Sequence, residues 1–308
     1  MKVATYVSGD TDRVGVVRDG KVYGLREPRP MTEVVADGLD ALLAVGQQAL
    51  DDPFEVVDLA DAQLRAAIRP PQMRDSMCFH EHIRNGLGAA EFDDRHKQYP
   101  TFYFSNAQAV IGPQDDAAIS PGCENFDYEL EVAAVIGKPG TNIRPEDADQ
   151  HIVGYTIYID WSARDLQMDE MALRLGPAKG KDGATTLGPF LVTADEFEPF
   201  RKNKGFDRAM TVAINGEPFS SGNWSTIDWT FNDVVAYTSR GTTLASGDVL
   251  GSGTVGRGCL LEHYRLDPDG FRGWLKAGDE ITFSVEGIGE MTQKVVPALE
   301  RHPLSSGH

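Results

Sequence analysis

The sequence FDYELEVAAVI, residues 126–136, places two glutamates next to a run of apolar residues. The apolar residues continue without interruption from 132 to 136, which is typical of a strand buried on both faces. If the segment is a strand, its period of two puts the side chains of Glu129 and Glu131 on one face. Two unpaired carboxylates beside a core strand would cost free energy, because each must lose its hydration.

A divalent cation bound by oxygen ligands would remove that cost. A third oxygen ligand is available at Asp160, which ends the apolar segment 152–159 just before a predicted helix. The sequence nearby has neither clustered cysteines nor paired histidines, so an all-carboxylate site favours Mg²⁺, Mn²⁺ or Ca²⁺ over zinc. The alternative is that Glu129 and Glu131 lie on a solvent-facing strand edge and that Asp160 caps a helix.

The segments around this stretch predict a β-dominated unit. Short apolar runs are separated by turns that carry glycine and proline. Two helices interrupt them. One begins after Ser162, whose spacing to Asp165 fits a capping box, and the other spans 230–239. We therefore expect an α+β catalytic domain over residues 71–300.

Residues 1–70 predict a small β-rich N-terminal domain. Segments 3–7 and 14–17 alternate in the manner of strands, and Asp19-Gly20 is a hairpin turn signal. Apolar residues then recur at helical spacing over 31–50. The dipeptide Pro70-Pro71 supplies a stiff boundary to the larger domain, and the tail at 301–308 is expected to fray.

Composition excludes several classes of protein. The 308-residue chain has a formal net charge of −18, so it would repel a nucleic acid. No apolar run approaches the roughly 20 residues that span a bilayer, and no signal-peptide segment is present, so we expect a cytoplasmic protein without a membrane partner. The three cysteines, Cys78, Cys123 and Cys259, are widely separated and form no C-x-x-C pair, which indicates neither a disulfide framework nor a cysteine zinc site.

Five polar residues are candidates for acid–base or binding roles. His80 and His82 would share a face if their segment is extended, and so compete for the role of general base. Lys181, in a glycine-bearing loop, would place an ammonium beside a substrate oxygen. Arg164 and Gln167 lie three residues apart on a predicted helix, which suits them to hold a carboxylate or carbonyl. The plainer interpretation is a structural histidine, a surface lysine and an exposed helix face.

Residues 251–256, GSGTVG, match the glycine pattern of dinucleotide-binding folds. Those folds require a helix directly after the glycines, but residues 257–267 show no sustained helical pattern. We therefore interpret the segment as a tight loop whose backbone N–H groups and Thr254 hydroxyl approach a substrate.

The order of several motifs resembles that of the fumarylacetoacetate hydrolase (FAH) family, over about residues 74–297. The motifs are 127–131, 160–167, 180–182, 185–189, 239–244, 247–256 and 278–280. The resemblance implies a mixed β-roll catalytic domain and a divalent metal, Mg²⁺ or Mn²⁺, held by Glu129, Glu131 and Asp160. It also implies that Asp75 is an additional aspartate of the metal shell.

The same resemblance selects His82 as the catalytic histidine. Many relatives pair this histidine with a glutamate three residues later, but here that residue is Asn85, which cannot take up a proton. Glu262 matches the glutamate that other members draw from a distant segment, where it would orient the imidazole and raise its basicity. The alternative for Glu262 is a solvated loop charge. Tyr103 joins Arg164, Gln167 and Thr254 as a predicted substrate-binding residue.

The implied activity is metal-dependent hydrolysis of a carbon–carbon bond in a small β-dicarbonyl or acylpyruvate-type acid. His82 with Glu262 would activate water, and Lys181 would stabilise the departing enolate. Decarboxylation, isomerisation or hydration of a 2-oxo acid uses related chemistry and is the alternative. A non-catalytic metal-binding protein is a further alternative. The resemblance also implies a homodimer.

Overall fold

The computed structural model describes residues 1–88 and 91–305 of the chain. Strands predominate in these residues. The strands are β1 (Lys2–Ser8), β2 (Thr11–Arg18), β3 (Lys21–Gly24), β4 (Val56–Asp58), β5 (Met73–Ser76), β6 (Phe102–Ser105), β7 (Val110–Ile111), β8 (Ala117–Ala118), β9 (Phe126–Ile136), β10 (Gly140–Thr141), β11 (Ile152–Ala163), β12 (Ala184–Thr193), β13 (Arg201–Lys202), β14 (Gly205–Phe206), β15 (Ala209–Ile214), β16 (Glu217–Asn223), β17 (Thr243–Leu244), β18 (Val249–Gly251), β19 (Glu280–Val285) and β20 (Gly289–Val296).

Helices are fewer and shorter. The α-helices are α1 (Met31–Val34), α2 (Leu39–Asp51), α3 (His80–Leu87), α4 (Arg164–Ala172), α5 (Phe231–Thr238) and α6 (Leu260–Leu266). Short 3-10 helices lie at Asp94–Lys97, Ala107–Ala109, Pro145–His151, Lys179–Lys181, Ala194–Glu196, Glu198–Phe200 and Trp224–Thr226. Among the described residues, none of the helices combines the length and the apolar composition needed to cross a lipid bilayer.

A mixed 11-stranded sheet organises the chain in the order β4-β3-β2-β1-β12-β11-β9-β18-β5-β6, with β7 paired to β12. A second sheet has the order β16-β15-β19-β20-β8, and the pairs β10-β17 and β13-β14 are separate. Every residue of β9, β11 and β12 is buried. The prediction of an α+β, strand-dominated fold is therefore confirmed.

The two faces of β9 have different roles. Tyr128 and Leu130 belong to the larger apolar core, where the Tyr128 ring packs 5.2 Å from the ring of Phe283 in the second sheet. Ala133 and Val135 point to the other face and belong to a second core cluster. Because side chains alternate along a strand, the odd-numbered glutamates share this second face, as predicted.

The strands of residues 1–70 extend the main sheet. β1 pairs antiparallel with β12, with Val3 opposite Leu191. Asp19 and Gly20 turn the chain between β2 and β3 with positive φ of 49° and 72°, which confirms the predicted hairpin. The division of the chain at residue 70 stays a prediction.

Three helix predictions need correction. The expectation of no sustained helix over 257–267 is wrong, since α6 occupies Leu260–Leu266. The helical spacing over 31–50 is divided between α1 and α2, because Gly38 adopts φ of 86°, which an α-helix does not contain. The capping role of Ser162 is wrong, since Ala163 stands at the N-cap of α4 and makes no side-chain cap bond. Ser162 is still part of β11, where it pairs with Asp127 of β9.

The helix predicted over 230–239 is confirmed as α5. Thr230 caps it, and Asp233 completes a capping box by accepting hydrogen bonds from the Thr230 backbone and hydroxyl.

Candidate active site

Four carboxylates meet on the second face of the main sheet. Asp75 comes from β5, Glu129 and Glu131 from β9, and Asp160 from β11, and one oxygen of each lies within 4.8 Å of the others. The sheet register produces this meeting, because Asp160 stands directly opposite Glu129 in the β9–β11 pair. All four side chains are buried. The alternative interpretation of a solvent-facing strand edge is therefore wrong.

Two basic side chains, Lys181 and Arg164, form ion pairs with this carboxylate cluster. The Lys181 ammonium donates to Glu129 Oε2 at 2.5 Å and to Asp160 Oδ2 at 2.9 Å, and also to the hydroxyl of Ser162. Arg164 Nη1 lies 2.8 Å from Glu129 Oε1. Burial acts to raise the pKa of Glu129, but these two charges outweigh it and hold that pKa well below its usual range.

The rest of the cluster carries excess negative charge. Within the described residues, neither Asp75 nor Glu131 has a cationic side chain within 4 Å. Burial raises the pKa of Asp75, and burial and the charge of Asp75 raise that of Glu131 well above its usual range. Burial also raises the pKa of Asp160 to about 7, although Lys181 opposes it. Buried carboxylates whose negative charge is only partly compensated favour the binding of a cation.

The cluster fits a divalent cation. Glu131 Oε1 and Asp160 Oδ1 are buried and accept no hydrogen bond from any described residue. Such atoms would lose hydration without compensation unless a cation took them as ligands. All the donor atoms are carboxylate oxygens, the ligands that Mg²⁺, Mn²⁺ and Ca²⁺ prefer.

Tyr103 lies against the cluster. Its hydroxyl donates to Asp75 Oδ2 at 2.7 Å and also contacts Asp160 Oδ2. Burial and the charge of Asp160 raise the pKa of Tyr103 well above its usual range, so the phenol keeps its proton and remains a donor. The structure thus places Tyr103 as a partner of two carboxylates, whereas its predicted contact with a substrate stays a prediction.

The loop 251–256 approaches the carboxylates through its backbone. Gly253 N donates to Glu131 Oε2 at 2.9 Å and to Asp75 Oδ1 at 3.1 Å. Gly253 has φ of 75°, and a Cβ there would come 2.2 Å from the carbonyl oxygen of Ser76, so only glycine permits this approach. The Thr254 hydroxyl is buried and has no hydrogen-bond partner among the described residues.

His82 and Glu262 form a hydrogen-bonded pair beside the cluster. His82 Nδ1 lies 2.8 Å from Glu262 Oε1, and His82 Nε2 lies 3.9 Å from Glu129 Oε1. Glu262 is fully buried, so its interpretation as a solvated loop charge is wrong. Burial acts to lower the pKa of His82, but the charge of Glu262 and their hydrogen bond outweigh it and raise that pKa.

Glu262 is held by two further donors that sequence reasoning did not identify. Asn85 Nδ2 and the backbone N–H of Arg257 each donate to Glu262 Oε2 at 2.7 Å. These bonds and the charge of His82 oppose burial and lower the pKa of Glu262. The carboxylate is therefore ionised and fixed, with Oε1 turned towards His82.

His80 and His82 do not share a face, because α3 begins at His80 and the segment is not extended. Residues two apart on a helix point in different directions, so the two histidines separate. His80 Nε2 is 3.2 Å from the carbonyl oxygen of His96, and His80 Nδ1 is 3.4 Å from Asp228 Oδ1. His80 thus contacts the segments of His96 and Asp228, which leaves His82 as the histidine at the cluster.

Asp127 is a further residue of the site whose contacts were not predicted from the sequence. It accepts from Arg164 Nε at 2.8 Å and from the backbone N–H groups of Leu260 and Leu261 at the start of α6. Asp127 thereby connects β9, which carries the glutamates, to the helix that carries Glu262. Asp127 is two residues before Glu129 in the same strand, so the period of two places both on one face. That spacing was the sequence signal that could have identified it.

Arg164 and Gln167 meet as predicted from their spacing. Arg164 Nη1 donates to Gln167 Oε1 at 3.1 Å. Arg164 is buried between the carboxylates of Asp127 and Glu129, so it is not part of an exposed helix face. Lys181 is also buried, which excludes its plainer interpretation as a surface lysine.

Comparison with known proteins identifies the family of the chain. A family model described as the fumarylacetoacetate (FAA) hydrolase C-terminal domain matches residues 73–296. The chain belongs to the fumarylacetoacetate hydrolase family. Among curated members, the mitochondrial oxaloacetate tautomerase FAHD2A of Homo sapiens is 29% identical over 297 residues, which cover 96% of this chain and 88% of that protein.

Solved structures of FAH-family proteins share the fold. The fumarylacetoacetate hydrolase of psychrophilic Exiguobacterium antarcticum has a TM-score of 0.76 and 27% identity, covering 96% of this chain and 99% of its own. The maleylpyruvate hydrolase of Sphingobium sp. SYK-6, in complex with manganese(II) and pyruvate, has a TM-score of 0.73 and 21% identity, covering 97% and 100% of the two chains. The predicted FAH-type mixed β-roll is confirmed. The chain is a metal-dependent enzyme of the FAH family. A cytoplasmic location stays a prediction.

Proposed function

We propose that this protein hydrolyses a carbon–carbon bond in a small acylpyruvate-type acid, using a divalent cation. The observation that carries the proposal is the His82–Glu262 pair, 2.8 Å apart, at the edge of four buried carboxylates. Such a pair is the usual means of activating water, because the carboxylate fixes the imidazole tautomer and stabilises the imidazolium. A purely structural metal site has no use for it.

Glu129, Glu131 and Asp160, with Asp75 beside them, are the residues that we assign to the cation. When bound there, Mg²⁺ or Mn²⁺ would act as a Lewis acid towards the two oxygens of a β-dicarbonyl acid. The Sphingobium relative supports this assignment, since its structure holds manganese(II) together with pyruvate. Pyruvate is also the product that hydrolysis of an acylpyruvate releases.

The acid–base steps follow from the orientation of the pair. His82 Nε2 faces the cluster and takes a proton from water, while Nδ1–H donates to Glu262. The hydroxide adds to the acyl carbonyl carbon, and the bond from that carbon to the neighbouring methylene carbon breaks. The electron pair passes into the pyruvyl half as an enolate, which then takes the proton from His82 at carbon. The products are a carboxylic acid and pyruvate.

Two buried basic side chains, Lys181 and Arg164, assist these steps. Lys181 is held by Glu129 and Asp160, so its ammonium is fixed where the enolate oxygen would carry negative charge. Arg164 and Gln167 lie together at the start of α4 and are our candidates for the substrate carboxylate. Tyr103 and Thr254 are further candidates for substrate contact, the latter because its buried hydroxyl has no partner among the described residues.

Enol–keto isomerisation of an oxaloacetate-type acid is a second candidate. It is favoured by the human relative, which is named an oxaloacetate tautomerase and aligns over 96% of this chain. The same histidine would move a proton between oxygen and carbon without adding water. Decarboxylation and hydration are further reactions that the same residues permit.

The test is a substrate panel with the purified, Mn²⁺-loaded protein. Acylpyruvates and oxaloacetate are incubated separately, and pyruvate, carboxylic acid, carbon dioxide and the enol absorbance are followed. We expect equal amounts of pyruvate and carboxylic acid from at least one acylpyruvate. Accelerated loss of the oxaloacetate enol without any acylpyruvate cleavage would replace the hydrolase proposal by the isomerase.

We also propose that the protein is a homodimer, as the resemblance implies. Met168 and Met171 of α4, and Leu173 and Leu175 after it, are large apolar side chains exposed on one short segment. Light scattering at micromolar concentration tests this, and a monomer would contradict it.

A further inference from the structure

Cys259 lies directly against the acid–base pair. Its Sγ is 3.6 Å from Glu262 Oε1 and 3.9 Å from His82 Nδ1, and these two atoms are 2.8 Å apart. Sulfur, nitrogen and oxygen thus form a triangle of potential metal ligands. None of these three residues belongs to the cluster of four carboxylates. The mechanism proposed above makes no use of the thiol.

The triangle has nearly the dimensions of one face of a zinc tetrahedron. With bonds of about 2.0–2.3 Å, tetrahedral zinc separates N from O by about 3.4 Å and S from either by about 3.6 Å. The observed sulfur–oxygen distance of 3.6 Å already fits, and the sulfur–nitrogen distance of 3.9 Å is slightly long. Only His82 and Glu262, at 2.8 Å, would need to move apart, by roughly half an ångström.

The orientation of the groups favours the same ligand. Glu262 Oε2 is occupied by Asn85 and the Arg257 backbone, so Oε1 is the oxygen left towards both His82 and Cys259. The Cys259 thiol and Glu262 are fully buried, while the His82 side chain keeps 12% exposure, which marks the side from which an ion can enter. Thiolate and imidazole select zinc-like ions over Mg²⁺.

We propose that His82, Cys259 and Glu262 form a second cation site, specific for thiophilic divalent ions such as Zn²⁺, and that its occupation inhibits the enzyme. Binding releases the thiol proton to solvent and shifts the Nδ1 proton of the neutral imidazole to Nε2, and Sγ and Nδ1 then bond to the ion, so that Nε2 can no longer take a proton from water. His82 loses its hydrogen bond to Glu262 and much of its basicity. The site itself does not depend on the proposed reaction, whereas the inhibition rests on the proposed role of His82.

The binding test uses Co²⁺, a spectroscopic substitute for zinc, added to protein whose carboxylate cluster is first saturated with Mg²⁺. We expect a thiolate-to-cobalt charge-transfer band in the near ultraviolet that saturates at about one equivalent and is removed by added Zn²⁺. Cys259→Ala and Cys259→Ser should both lack the band. Cys78→Ala is the matched control, since Cys78 is equally buried but outside the triangle, and it should keep the band.

A wild-type protein without the band, or a band that survives in folded Cys259→Ser, would overturn the site. Glu131→Gln should keep the band, because the carboxylate cluster contributes no sulfur ligand. If neither cysteine variant folds, as judged by its melting curve, His82→Gln serves instead and should weaken cobalt binding at least about tenfold.

The proposed inhibition is tested separately, by measuring enzyme activity. In the Mg²⁺-loaded enzyme, the zinc concentration for half-inhibition should rise at least about tenfold in Cys259→Ser relative to Cys78→Ala. Equal zinc sensitivity of the two variants would refute the inhibitory role even if cobalt binds. A protein that shows the cobalt band but turns over no substrate would leave this site standing and contradict only the proposed function.

Discussion

Asn85 Nδ2 donates to Glu262 Oε2 at 2.7 Å, although the two residues are separated by 177 positions in the chain. Asn85 lies three residues after His82, where the family resemblance implies a glutamate in many members. Here it cannot take up a proton, but it holds Glu262, the proposed carboxylate partner of His82. We therefore predict that Asn85 is a positioning residue; its hydrogen bond also joins α3 to α6.

Replacing Asn85 should slow the reaction without removing it. Hydrogen bonds to a charged group contribute about 1.5–3 kcal/mol, so Asn85→Ala should lower kcat by about tenfold or more, with KM little changed. The Arg257 N–H still holds the same oxygen, which limits the loss. Arg84→Ala, on the exposed side of the same helix, is the control. An unchanged kcat and an unchanged pH profile in Asn85→Ala would show that the bond has no catalytic role.

His82 and Glu262 should behave as one unit. His82→Ala and Glu262→Gln should each lower kcat on the order of 10²-fold or more, and the double variant should be scarcely worse than the poorer single one. Metal affinity, measured by calorimetry, should change little in all three. Losses that multiply in the double variant would mean that the residues act independently.

Metal removal should destabilise the protein and abolish activity. Glu129→Ala, Glu131→Ala and Asp160→Ala should each lose bound Mn²⁺, because each removes one ligand from the cluster. In wild type, EDTA should lower the melting temperature and Mn²⁺ should restore it. Full activity after exhaustive chelation would rule out the metal-dependent mechanism.

Glu131→Gln offers a sharper comparison, because burial and repulsion from Asp75 raise the pKa of Glu131. The amide removes that repulsion, so the metal-free variant should melt above metal-free wild type at about pH 8 while gaining nothing from Mn²⁺. Glu146→Gln, a change of an exposed glutamate, is the control. A metal-free variant that melts below wild type would mean that the cluster is not electrostatically strained.

The stabilisation by metal should depend on pH. The folded pKa of Asp160 is raised to about 7, whereas an unfolded aspartate has a pKa of about 3.9. Between these values the unfolded chain has lost a proton that the metal-free folded protein keeps, so this group contributes less stability as pH rises. Bound metal needs the deprotonated carboxylate and reverses the trend. The melting-temperature gain from Mn²⁺ should therefore grow from about pH 5.5 to 8, and a constant gain would contradict the shift.

The carboxylate cluster could be predicted largely from local sequence, whereas the local capping signal at Ser162 misled. The alternation of Glu129 and Glu131 depends only on the period of a strand, and it survives in the structure. The capping signal at Ser162 failed because pairing with β9 keeps that residue in β11, where its hydroxyl accepts from Lys181. Tertiary pairing outweighed local propensity at this position.

The sequence by itself determined the strand-dominated fold, the shared face of the two glutamates and the membership of a family. Strand period and motif order can be read from the linear sequence, because they do not depend on contacts between distant segments. Tertiary structure decided which atoms meet across long separations, including the pairing of Glu262 with His82 that only the family resemblance had implied. It brought Glu262 to His82 across 180 positions, set Asn85 behind it and placed Cys259 beside both. Those contacts arise from the packing of α6 against α3 and β9, and no spacing in the sequence encodes them.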